Sequence, residues 1–198
     1  MNKQTIRNYA VMILGGLVIG FGVAFVVYGN LGGDAMTTFE QGMSVFFHMD
    51  LAIAQIIANG IFVVLLYLFA RDRVNIDTIL CPLFITLGCK AACLAIPYPT
   101  MIIPRVIYMI IGIVVVGLGI GIGAQTPSGS NPYDGAILAL SEKMKINFSI
   151  MRPVCDGCLL VIGILLHGSW GIGTVAATFC TGYVANIFIR IFNNMRKA

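Results

Sequence analysis

Six stretches of about 20 mostly apolar residues fill this chain, and each is long enough to cross the roughly 30 Å hydrocarbon layer of a bilayer as a helix. They are residues 9–29, 51–70, 76–96, 106–124, 150–167 and 172–192. Charged residues make up only 10% of the 198, against about 25% in a typical soluble domain. A surface so poor in charge cannot be carried by water, so an all-α polytopic membrane protein with about six spans is expected. The first apolar run follows Lys3 and Arg7 as in a signal peptide, but it is too long and lacks a clean small-residue cleavage pattern. It reads as a retained first span. Two shorter apolar stretches, residues 34–47 and 132–144, each follow Gly-rich sequence. They read as short interfacial or re-entrant helices.

The basic residues predict the orientation, because cytoplasmic loops are enriched in Lys and Arg. With the N-terminus inside, Lys3, Arg7, Arg71, Arg73, Lys143, Lys145, Arg152, Arg190, Arg196 and Lys197 fall on the cytoplasmic side, which is ten of the 12 basic residues. Arg105 falls outside and Lys90 within the third span. Both termini are therefore expected in the cytoplasm. The net charge of +4 is distributed as a topology signal, and no basic run interleaved with aromatics suggests nucleic acid as a partner.

The chain also matches itself. With a shift of 97, Gly15, Gly20, Gly22, Gly32 and Ser44 meet Gly112, Gly117, Gly119, Gly129 and Ser141. Later, Ile76-Asp77-Thr78 meets Ile172-Gly173-Thr174 at a shift of 96. Each copy holds a Gly-rich span, a Gly-rich loop, a short helix and two further spans. The copies are residues 1–97 and 104–198. Three spans per copy turn the second upside down, which predicts a 3+3 inverted repeat. Such folds place a solute site near the midplane at the repeat interface, with broken or short helices as its best sequence marker.

The sharpest local motif is Thr126-Pro127-Ser128-Gly129-Ser130-Asn131-Pro132-Tyr133-Asp134. Irregular backbone at membrane depth is tolerated only inside protein or beside a watery cavity. Asn131 is a strong N-cap and Pro132 suits the first helical position, so a helix N-terminus with free N–H groups is expected there. Asp34 is the matching cap in the first copy. Ordinary surface loops ahead of amphipathic helices are the competing reading of both.

The run Gly129 to Asp134, the helix ending Ala139-Leu140-Ser141, the Gly-rich first span and the stretch Leu165 to Thr174 together resemble the YczE/YyaS/YitT-like bacterial membrane proteins. The resemblance covers most of the chain. It implies a multi-pass protein of the bacterial inner membrane, without a substrate. Of the family's Pro-x-Asp pattern only Asp134 carries over, because the first copy has Ala35-Met36-Thr37 at the matching place.

Ionisable residues inside spans are expensive and usually face a cavity or a partner. Arg152 and Asp156 stand four apart on one helix face, where they can form an ion pair. Their repeat mates are Gln55 and Asn59. Lys90 lies mid-way along the third span, and its mate at a shift of 96 is Asn186. The candidate solute-binding set is therefore Asp34, Asn59, Lys90, Ser128, Ser130, Asn131, Asp134, Arg152, Asp156 and Asn186. The spacing of Gly117, Gly119, Gly121 and Gly123 suits close helix packing more than phosphate binding. Cys155-x-x-Cys158 lies inside a helix with no second ligand pair, so the six cysteines read as small apolar residues. No nucleophile–base set or cofactor motif is visible, and neither an enzyme nor a cofactor is expected.

The leading expectation is a small transporter for a polar or charged solute or ion, embedded in lipid and possible as a homo-oligomer. The alternatives are an aquaporin-like channel, a substrate-binding subunit of a larger importer, and a non-transport scaffold or regulator.

Overall fold

The computed structural model describes residues 3–71, 74, 76–126, 131–168 and 170–197. These form eight helices: α1 Lys3–Gly29, α2 Ala35–Phe46, α3 Leu51–Phe69, α4 Ile76–Ala95, α5 Ile102–Gly123, α6 Pro132–Met144, α7 Phe148–Leu165 and α8 Ile172–Lys197. No strand occurs among the described residues. Four helices, α1, α5, α7 and α8, are long and apolar enough to cross a membrane. In α3 and α4 the described apolar stretches, Ile56–Phe69 and Leu80–Ala95, are shorter. Large apolar side chains point outward, Leu94 at 91% exposed and Ile172 at 86%. That arrangement suits lipid and not water.

The long helices extend past their apolar runs. α1 begins at Lys3 rather than near residue 9, because hydropathy marks the hydrocarbon part and polar residues can continue a helix into the interface. The short helices fall where the capping residues put them. Asp34 accepts hydrogen bonds from the Thr37 backbone N–H (2.9 Å) and the Thr37 hydroxyl at the start of α2. Asn131, 97 residues later, accepts one from the Asp134 N–H (2.7 Å) at the start of α6. Each satisfies a helix N–H that would otherwise lack a partner. The ends match too. His48 and Lys145, also 97 apart, both take left-handed backbone conformations, with φ of 51° and 57°. Beyond them Met49 N–H donates to Ser44 O (3.0 Å) and Ile146 N–H to Ser141 O (2.9 Å).

Glycine sets the central packing. α1 lies against α5, α4 lies against the outside of α1, and α8 against the outside of α5. A Cβ on Gly22 would fall 2.6 Å from Val116 N, and one on Gly119 would fall 2.8 Å from Ile19 N. Only residues without a side chain allow backbones so close. α2, α3, α6 and α7 form a second group in which α2 packs on α7 and α6 on α3. The loop after α1 is tied to the start of α8 by the Gly173 N–H, which donates to Leu31 O (2.8 Å). Gly32 in this loop has φ of 112°, a conformation that side chains disfavour, and Thr174 Oγ1 occupies the space a Cβ would need.

Candidate functional site

The loop tie places the N-terminus of α2 beside α8, and α7 closes the same space. There Arg152 forms two ion pairs. Its Nε donates to Asp156 Oδ2 at 3.0 Å, one turn along α7. Its Nη1 donates to Asp134 Oδ1 on α6. Tyr133, next to Asp134, donates its hydroxyl hydrogen to the other oxygen of Asp156. The Arg152 guanidinium also lies over the Tyr133 ring, 4.9 Å from its centroid. All four residues are at most 5% exposed. On α8, Gly182 makes room for them, since a Cβ there would stand 2.8 Å from both Cβ and Cγ of Arg152.

A cavity of about 20 Å³ adjoins this network. Arg152 and Asp156 reach it from α7, Asp34 and Thr37 from α2, and Thr178 and Thr181 from α8. Val23, Ile113 and Val116 form its apolar wall. Space of that size admits about one water-sized particle. Asp134 and Asp156 pair with the guanidinium, and a third carboxylate, Asp34, lines the cavity with Arg152 and Asp156, so with all ionised the negative charges of the three exceed the arginine's by two. In a low-dielectric interior such an excess attracts a cation or a proton. Among the described residues no three His, Cys, Asp or Glu side chains are gathered to hold a metal ion.

The expected site residues divide. Asp34, Asp134, Arg152 and Asp156 come together, and Asn131 caps the helix that carries Asp134. Asn59 is half-buried on α3. Lys90 is exposed on α4 and Asn186 half-buried on α8, and neither lines the cavity. Ser128 and Ser130 lie outside the described residues, as does the rest of 127–130. The Gln55 side chain is likewise outside them. Sequence reasoning passed over Tyr133, Thr37, Thr178, Thr181 and Gly182. It also passed over Glu40, a carboxylate on α2 that is only 6% exposed. The signal for the threonines was available: Thr174, Thr178 and Thr181 recur on one face of α8, and all three are buried.

A family model described as a family of unknown function, DUF6198, matches residues 6–190. The chain belongs to this DUF6198 family. Its Asn131–Asp134 motif, capped helix and Arg152–Asp156 pair all lie within the matched span. An uncharacterized protein of Haemophilus influenzae is 23% identical over 185 residues, covering 93% of this chain and 84% of that protein. The uncharacterized protein YyaS of Bacillus subtilis is 21% identical over 181 residues, covering 90% of each. The second of these bears out the YyaS-like resemblance read from the motifs. No solved structure matches the chain.

Proposed function

We propose that this DUF6198 protein is a small transporter that carries a small monovalent cation through the cavity beside Arg152. The observation that carries the reading is a buried arginine paired with two buried carboxylates, with a third, half-buried carboxylate, Asp34, at the same water-sized cavity in a membrane protein. Intramembrane ionisable groups are costly and are kept where solutes or protons pass. Thr37, Thr178 and Thr181 supply hydroxyl oxygens that can replace water around a cation.

The proposal includes a 3+3 inverted repeat of residues 1–97 and 104–198, with six spans and both termini in the cytoplasm of a bacterial inner membrane. Several relationships at a shift of 97 support it: the caps Asp34 and Asn131, the left-handed His48 and Lys145, and the reciprocal approaches of Gly22 to Val116 and of Gly119 to Ile19. The helix pairing supports it as well. α1 with α4 corresponds to α5 with α8, and α2 with α7 corresponds to α6 with α3. α3 and α4, at 19 and 20 residues, are about 28–30 Å long, enough to complete the six. The cavity draws on α1 and α2 from one copy and α5, α7 and α8 from the other, so rocking one copy against the other would open it to alternate sides.

Thermal unfolding of the purified protein with sodium, potassium, ammonium, methylammonium or guanidinium tests the site, because a ligand that binds the folded state stabilises it by mass action. At least one cation is expected to raise Tm in the wild type and not in Asp156→Asn. Equal shifts in both proteins, or none in either, would overturn the reading.

A further inference from the structure

On the other side of Tyr133 lies a second, larger space. It is an apolar groove of about 420 Å³ between α3, α6 and α7. That volume falls in the range of about 300–1,000 Å³ typical of ligand pockets. Phe62, Leu65 and Phe69 form one wall, Ile137 and Leu140 the floor, and α7 from Ile150 to Leu159 the other wall. The matched helix positions explain why a groove opens here. α2 packs closely on α7, where a Cβ on Gly42 would fall 2.6 Å from Gly163 O. At the positions 97 residues away stand Ala139 and Leu66, which pack together with Ala136 and hold α6 off α3 by their side chains.

One end of the groove is basic. The Lys143 ammonium sits 5.4 Å from the centroid of the Phe69 ring, which lines the groove. Arg71 lies over Tyr67, 5.1 Å from its centroid, at the same end of α3. Lys145 is exposed between Met144 and Ile146, both of which line the groove. Glu142, also exposed, directly precedes Lys143 on α6. From that rim the wall on α7 runs ten residues, about 15 Å at the helical rise. That is about half the roughly 30 Å hydrocarbon thickness, the depth of one leaflet.

We propose that this groove binds an anionic phospholipid, with one acyl chain along α7 and its phosphate held by Lys143, Lys145 and Arg71. The apolar length fits one chain in one leaflet, and the excess of positive charge at the rim selects an anionic head group over a zwitterionic one. The bound chain would rest against the ring of Tyr133, whose hydroxyl holds Asp156, so lipid occupancy bears directly on the charged network.

The test is native mass spectrometry of the purified full chain titrated with dioleoyl phosphatidylglycerol or dioleoyl phosphatidylcholine. The wild type is expected to prefer phosphatidylglycerol by ~tenfold or more, from attraction by neighbouring basic residues. Lys143→Gln with Lys145→Gln should bring phosphatidylglycerol down toward the phosphatidylcholine level. Cys158→Phe, which fills the groove from an exposed position on α7, should weaken both lipids. Val154→Phe, also at an exposed groove position, serves where Cys158→Phe does not fold. Equal binding of the two lipids to wild type, a preference that survives loss of both lysines, or filled-groove variants that bind as wild type would each overturn the proposal.

Discussion

Tyr133 and Asp156 are 23 residues apart and on different helices, yet the phenol hydroxyl of one donates directly to the carboxylate of the other. The bond joins α6 to α7 at the point where Arg152 meets two carboxylates. Tyr133→Phe keeps the ring and removes the donor. A buried carboxylate left short of a partner costs about 1–3 kcal/mol. Thermal unfolding in detergent should show Tm falling accordingly, and an unchanged Tm would mean that the bond adds nothing to stability.

Arg152 offers a sharper test. Removing one partner of a buried ion pair costs about 3–5 kcal/mol, because the other charge is left uncompensated. Arg152→Met alone should therefore be strongly destabilised. Arg152→Met combined with Asp156→Asn should recover part of the loss, although it changes more residues. A double variant no more stable than the single one would argue against electrostatic coupling of the two.

Much of this was legible in the sequence, for physical reasons that can be named. α6 spans the residues that its cap and proline predict, because Asn131 and Pro132 act locally. The pairing of Arg152 with Asp156 follows from a spacing of four on a helix. The arrival of Asp134 and Tyr133 at the same point does not, since it depends on how α6 leans on α7. Lys90 and Asn186 were selected by depth along a span, and depth does not say which face of a helix a residue occupies. The groove was hidden because it arises from Leu66 and Ala139, while the positions 97 residues from them hold Gly163 and Gly42. Single small-to-large differences of that kind look minor in a sequence, yet they set the distance between helices.

Glycine positions separate by what a methyl group would meet. Gly22→Ala and Gly182→Ala place a Cβ against α5 and against Arg152, respectively. Overpacking of this kind costs about 1–3 kcal/mol. Gly60 on α3 has nothing within 4 Å of an added Cβ. Gly60→Ala should be neutral or stabilise by about 0.5–1 kcal/mol through helix propensity. Thermal unfolding of the three variants side by side checks the ranking.

The cap of α6 can be tested on its own. Asn131→Ala removes the acceptor for the Asp134 N–H and should cost about 1 kcal/mol, while Asn131→Asp should be close to wild type. Equal Tm values for all three proteins would mean that the side chain does not cap the helix in the membrane.

The most direct test of transport through the Arg152 site is charge displacement in proteoliposomes adsorbed to a solid-supported membrane. Each of the five small cations is washed on in turn. The wild type should give a saturable transient current with at least one of them. Asp156→Asn, reconstituted at equal density, should give no such current. No saturable current with any cation, or currents of the same size from both proteins, would contradict the account.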